Sequence, residues 1–158
     1  MREPVETNEN TKVAIVTGAG NGSGRAIALE LSNIGYYVAV NDRSSETEAY
    51  DTLSLIEQNG GQGELQAYDV TDAKGTKPAL DDLFSLHKAI DVLVNNAGIT
   101  KDGLFMMMST DNWHQVVDTT LAGFYNMTKP VLRKMARRKA GSIISISSVA
   151  GLIGNRGQ

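Results

Sequence analysis

Apolar residues fall along this chain in two rhythms: short unbroken runs, and longer segments where they recur every three or four positions. The first rhythm fits a strand buried on both faces, the second an amphipathic helix. Lys12-Val13-Ala14-Ile15-Val16-Thr17 predicts a first strand. A glycine-rich stretch follows, then a helix with Ile27, Leu31 and Ile34 on its inward face, closed by Gly35. Residues 37–41 predict a second strand. Residues 46–59 predict a helix with Leu53 and Ile56 inward, ended by Gly60-Gly61. Residues 63–68 alternate like an edge strand. Asp72 is placed to cap a helix that reaches about His87, and 91–95 form the fourth strand. A long helix is predicted over 109–139. Its stripe is Leu121, Phe124, Tyr125, Thr128, Leu132 and Met135, with a kink at Pro130. Residues 142–147 are the fifth strand. Strands that alternate with helices imply an α/β fold with a parallel sheet and right-handed crossovers. Residues 1–11 are polar, acidic and unpatterned and read as a flexible tail; residues 12–158 read as part of a single domain.

Composition narrows the function classes. Among 158 residues, 41% are hydrophobic and 21% charged, as in an ordinary globular protein. The net charge of -3 argues against a general nucleic-acid partner. No apolar run approaches the ~20 residues that span a bilayer, and the N-terminus lacks the apolar core of a secretory signal. The chain has no cysteine, which removes disulfides, thiolate catalysis and cysteine-bound metal. Cytosol is the expected compartment, and no metal site is expected.

The candidate chemistry begins at Gly18-Ala19-Gly20-Asn21-Gly22-Ser23-Gly24, between the first strand and the first helix. Glycine serves three needs there: a tight turn, close backbone approach to a pyrophosphate, and close helix–strand packing. The helix start then offers free N–H groups and a positive dipole end. Thr17-Gly18-x-x-x-Gly22-x-Gly24 differs from the G-x-G-x-x-G of most dinucleotide enzymes and resembles the T-G-x-x-x-G-x-G of short-chain dehydrogenases/reductases. Asp69-Val70, Asn95-Asn96-Ala97-Gly98 and Ser147-Ser148 fall at that family's places after the third, fourth and fifth strands. Gly98-Ile99-Thr100-Lys101-Asp102 and the run from Gly151 to Gln158 resemble its 3-oxoacyl-[acyl-carrier-protein] reductase branch.

This resemblance implies a Rossmann-like, doubly wound, three-layer α/β/α fold with strand order 3-2-1-4-5. It implies hydride transfer from NADH or NADPH to a 3-oxoacyl thioester, in fatty acid or related acyl synthesis. The rival reading is a non-catalytic dinucleotide-binding fragment or pseudoenzyme. Gly18 to Asn21 would line the pyrophosphate, with Gly22, Ser23 and Gly24 completing the loop. Asp69 would bind the adenine amino group beside Val70, and Asn96 and Gly98 would flank ribose and phosphates. Ser148 would hold the substrate carbonyl; Ser147 stands where the family often has glycine. Thr120 stands at the family's helix asparagine, which supports a proton relay, and a hydroxyl lacks that amide's two donors and acceptor. The family's proton-donating tyrosine, and the lysine four residues after it, are expected beyond Gln158. No Tyr-x-x-x-Lys is expected within residues 1–158, with Tyr36, Tyr37, Tyr50, Tyr68 and Tyr125 all expected to lack a lysine at that offset. Residues 1–158 alone are therefore expected to be inactive, and the longer product a homotetramer.

Cofactor choice is open in the sequence. Asp42, at the end of the second strand, can bind the 2′-hydroxyl of NAD and repel the 2′-phosphate of NADP, whereas Arg43 can pair with that phosphate. Arg133, Lys134, Arg137, Arg138 and Lys139 form a basic cluster at the end of the long helix. It is either a dock for an acidic acyl carrier protein or cations set against the helix dipole. Leu104 to Met108 fit core or subunit packing better than acyl-chain contact. His87 and His114 show no metal or catalytic pattern.

Overall fold

The computed structural model describes residues 10–43 and 47–157. Most of the tail 1–11, and Glu46 at the start of the second predicted helix, lie outside the described residues. The strands are β1 (Val13–Thr17), β2 (Tyr37–Asp42), β3 (Gln62–Ala67), β4 (Val92–Asn95) and β5 (Ser142–Ser145). They form one parallel sheet in the order β3-β2-β1-β4-β5. This is the order the resemblance implied, and it places β1 in the middle, where both neighbours leave the same crevice at its C-terminal end.

Alternation along the central strands explains the two helical layers. Val13 and Ile15 face one side, with Tyr37, Ala39 and Leu93. Ala14 and Val16 face the other, with Val38, Val40, Val92 and Val94. Successive side chains of a strand point to opposite faces, so a strand covered on both sides must be apolar throughout. Helices α1 (Gly22–Asn33) and α2 (Glu48–Gln58) cover the second face. Helices α3 (Ala73–Leu86) and α5 (Gly123–Arg138) cover the first.

Helix starts follow their caps. Asp72 accepts from the Lys74 N–H at 2.9 Å and opens α3 as expected. Ser109 accepts from the Asn112 N–H at 3.1 Å and opens α4 (Thr110–Val117).

Two predicted faces are corrected. In α1 the buried positions are Gly24, Ala28 and Ser32. Ile27 and Leu31 pack partly against the core, and Ile34, beyond the last helical residue, is 63% exposed. Small side chains every four residues let the helix lie close against β1. In α5 the buried residues are Gly123, Met127, Val131 and Met135. Of the predicted stripe only Met135 is buried; Leu121, Phe124, Tyr125 and Leu132 are 41–63% exposed and Thr128 is half-buried. The long helical segment is also irregular before Pro130. A π turn at Asp118–Ala122 joins α4 to α5, while Pro130 is accommodated inside α5.

His87 closes α3 as a core residue. It is 2% exposed, its ring lies 4.8 Å from that of Tyr37, and Nε2 is 3.3 Å from Glu64 Oε1.

Candidate dinucleotide site

The crevice at the C-terminal end of β1 is built around one hydroxyl. Thr17 Oγ1 donates to Val94 O (3.2 Å) and accepts the N–H groups of Asn96 (2.9 Å) and Ala97 (3.0 Å). It thereby fastens β1 to the chain leaving β4. The Asn96 amide donates to Thr17 O and Gly18 O at 2.9 and 3.1 Å, so it braces the glycine loop from below. Gly18 turns the chain at φ +61°, and a Cβ there would press against Ala97 Cα at 3.0 Å. Gly24 is tighter still. A Cβ on it would sit 2.0 Å from Gly18 O and 2.5 Å from Asn96 Nδ2.

Arg25 secures the loop from the helix side. Its Nε donates to Gly20 O and Thr52 Oγ1, each at 2.9 Å, and its Nη2 contacts Gly20 O and Glu48 O. The buried Thr52 hydroxyl lies 2.9 and 3.1 Å from Ala19 O and Gly20 O. From β2, Asp42 Oδ2 accepts the Gly20 N–H at 3.0 Å. At the start of α1, Asn21 is the cap residue, yet its side chain makes no capping bond; its amide instead contacts Glu48 Oε2. The first turn of this 12-residue helix therefore has no side-chain cap and faces the crevice. Gly22 turns at φ +51° with open space where a Cβ would lie.

A cleft of about 400 Å³ runs along this loop. Of the predicted cofactor residues, Gly18, Asn21, Ser23 and Gly24 line it from the loop. Asp42 and Arg43 line it from β2, Asp69 and Val70 from the end of β3, and Asn96 and Gly98 from the end of β4. Ala19, Gly20 and Gly22 do not line it. Ala19 is fully buried, and Gly20 faces Asp42, where its Cβ would lie 2.5 Å from Oδ2. Asp69 is also a turn residue: its Oδ1 accepts Thr71 N and Thr71 Oγ1, both at 2.8 Å.

A second cleft of about 790 Å³ adjoins the first and holds Thr120, Ser147 and Ser148 with Gly98 and Ile99. The Ser148 hydroxyl accepts Ala150 N–H at 3.1 Å. Thr120 lines this cleft and Thr119 the first, and both lie within the π turn at Asp118–Ala122. Sequence reading missed Arg25, Glu48, Thr52 and Thr119. It also gave Thr17 no role, since that role consists of bonds to residues far along the chain.

One other expectation is corrected, and the basic cluster is placed. Tyr125 does have a lysine four residues on, which the sequence reading overlooked. Tyr125 and Lys129 touch through hydroxyl and ammonium on the exposed face of α5, in a groove against α3 with Phe84 and away from Ser148. The pair has the expected spacing but does not line the cleft that holds Ser148. Of the basic cluster, Arg138 is engaged within the fold. Its guanidinium pairs with Asp91 Oδ1 at 2.8 Å and donates to Ile90 O at 3.3 Å. Lys139 is the left-handed cap of α5 at φ 54°, and Lys134 lies over the Phe84 ring. Among the described residues no group of three or more His, Cys, Asp and Glu is placed to hold a metal, and no helix is long and apolar enough to cross a membrane.

The tyrosines give a checkable order of ionisation. The Lys129 hydrogen bond and charge, with Arg133 adding, hold the Tyr125 phenol below its ordinary value of 10.0. Burial, with Glu64 adding, pushes Tyr37 and Tyr68 well above it. A folded-state value above the unfolded one means that their contribution to stability is complete below pH 10.0. It is lost as pH rises beyond that value. Ultraviolet titration should show Tyr125 ionising early, an effect removed by Lys129→Met. Tyr37 and Tyr68 should ionise only with alkaline unfolding. An unchanged early phase in the variant would contradict the assignment.

The comparisons agree with this geometry. The short chain dehydrogenase family model matches residues 12–158. The 3-oxoacyl-[acyl-carrier-protein] reductase FabG of Staphylococcus aureus (strain Mu50) is 43% identical over 148 residues, covering 94% of this chain and 60% of that protein. The 3-oxoacyl-[acyl-carrier-protein] reductase of Synechocystis sp. is 42% identical over 147 residues (93% and 60%), and the Vibrio harveyi FabG 42% over 151 (96% and 60%). The chain thus spans about 60% of the length of these relatives. From the parallel sheet, the T-G-x-x-x-G-x-G loop and a family match reaching from β1 to Gln158, the chain belongs to the short-chain dehydrogenase family.

Proposed function

We propose that the chain is the dinucleotide-binding part of a nicotinamide-dependent oxidoreductase that reduces 3-oxoacyl thioesters, as the names of its relatives describe for them. The observation that carries the reading is the uncapped start of α1, set over a glycine turn that Thr17, Asn96 and Arg25 hold rigid. Backbone N–H groups of Gly22, Ser23 and Gly24 suit a pyrophosphate, and the open space at Gly22 suits its close approach. Asp69 and Val70 would flank the adenine. The bound nicotinamide supplies the hydride.

Ser148 acts on the substrate side. Its oxygen accepts from Ala150 N–H, so its own proton can be donated to the carbonyl oxygen as negative charge develops there. Thr120 borders the same cleft and can hold a water near that oxygen. Tyr125 and Lys129 take no part, because they stand at the α3–α5 groove. The proton donor is a tyrosine outside residues 1–158, and these residues are the N-terminal part of one Rossmann-like domain.

Two partners follow from the surface of α5. The exposed apolar side chains Leu121, Phe124, Tyr125 and Leu132 suit packing between copies, consistent with a homotetramer. The basic cluster, exposed at all five positions, suits an acidic carrier protein; Arg138 also pairs with Asp91, which leaves Arg133 and Arg137 as the arginines to test.

The test joins residues 1–158 to the remaining C-terminal part of the Staphylococcus aureus relative. Oxidation of NADH or NADPH should depend on acetoacetyl thioester. Arg133→Glu with Arg137→Glu should raise KM several-fold for carrier-bound substrate and leave a small thioester unaffected. Oxidation that ignores the thioester would refute the substrate class, and equal KM values would refute the dock.

A further inference from the structure

The adenosine end of the cleft carries an unusual charge balance. Among its described lining residues Asp42, Glu48 and Asp69 are carboxylates, and Arg43 is the one cation. Arg25, close by, is committed to Gly20 O, Thr52 Oγ1 and Glu48 O, so its charge clamps backbone and is not turned to a ligand. Asp42 is likewise committed in part: Oδ2 takes the Gly20 N–H at 3.0 Å, and the loop rests on it closely enough to exclude a Cβ at Gly20. Glu48 is different. It is an exposed first residue of α2, and its carboxylate is held at the cleft by the amide of Asn21, the cap residue of α1. Its Cβ lies 3.3 Å from where a Gly20 Cβ would be, so it stands directly behind the phosphate loop.

We propose that Glu48, oriented by Asn21, is a specificity-determining residue that joins Asp42 in making this cleft select NAD over NADP. The proposal rests on the dinucleotide reading of the cleft. A ribose beside Asp42 brings its 2′ position toward Glu48, because both residues flank Gly20. A 2′-hydroxyl can donate to either carboxylate. A 2′-phosphate has no proton to spare for both and brings its own negative charge against two others. Repulsion between like charges several ångströms apart at a protein surface is large enough to change affinity about tenfold per carboxylate. Arg43 offsets only one of them. Glu48 is also the cleaner probe, since removing Asp42 takes away the acceptor of the Gly20 N–H as well as a charge.

Calorimetric titration of the protein with NAD+ and NADP+ tests this. The wild type should bind NAD+ more tightly. Glu48→Gln should tighten NADP+ by about tenfold and move NAD+ by less than about twofold. Asn21→Ala should shift the ratio the same way by a smaller factor, because the carboxylate stays but is no longer held. In the wild type alone, raising salt from about 0.05 to 0.5 M should narrow the NAD+ preference, since partly exposed charges are screened. Equal wild-type affinities, or a ratio unchanged in Glu48→Gln, would overturn the proposal. Binding of neither dinucleotide would overturn the reading of the cleft itself.

Discussion

Gly24→Ala removes dinucleotide binding and lowers the melting temperature by about 5–10 °C. The added methyl has no room. Its carbon would sit 2.0 Å from Gly18 O, 2.5 Å from Asn96 Nδ2 and 2.8 Å from Gly18 C. The nearest of these is backbone in a turn that already needs φ +61°, so it cannot rotate aside as a flexible side chain would. Helix α1 must back away from β1, and the bonds that brace the loop, Asn96 to Gly18 O and Arg25 to Gly20 O, lengthen with it. Overpacking of this kind costs about 1–3 kcal/mol in stability. Affinity falls further, by about a hundredfold or more, because the same shift moves the helix N–H groups off the phosphates. Gly22→Ala is the control for stability only. It stands in open space within the protein, so its cost to folding is the left-handed backbone alone, about 1–2 kcal/mol, while in titration its methyl meets the proposed phosphates. Thermal melts and titrations of the two variants separate these effects. A Gly24→Ala protein that melts and binds like the wild type would show that the loop is not packed as described.

Much of this architecture can be read from local pattern. The five strands, the Asp72 cap and the inward Leu53 and Ile56 of α2 depend on neighbours in sequence, and all appear where expected. The inward face of α5 does not. Leu121, Phe124, Tyr125 and Leu132 are as apolar as Met127, Val131 and Met135, so two stripes compete and sequence alone does not say which one the sheet takes. The π turn at Asp118–Ala122 adds a residue to the helical repeat, which puts Leu121 out of phase with a stripe counted from α5. The face of α1 was misjudged for another reason. Close packing on β1 selects small residues, Gly24, Ala28 and Ser32, while a search for large apolar side chains finds Ile27 and Ile34.

In the site, the glycine loop is legible because its residue types are unusual. The bonds that make it rigid are not. Thr17 reaches residues 77 to 80 positions away, and Arg138 reaches Asp91 across 47. Such partners exist only once the sheet has formed. The Tyr125–Lys129 pair teaches the converse. Spacing on one helix brought hydroxyl and ammonium together, yet the helix carries them to a groove that Ser148 does not line. A motif therefore has its family meaning only at the family's place in the fold.

In the proposed function the chemistry is divided: these residues would bind and orient, and the proton for the carbonyl would come from elsewhere. A single stopped-flow experiment tests that division. A polypeptide of residues 1–158 is mixed with NADH or NADPH and then with acetoacetyl thioester, beside the Staphylococcus aureus relative. Loss of a positioned general acid alone typically removes ~10²–10⁴ in rate. Saturable dinucleotide binding, with thioester-dependent oxidation slower than the relative's by at least that factor, is the result predicted. Turnover comparable to the relative's would contradict it, because Ser148 and Thr120 would then suffice without the proposed tyrosine.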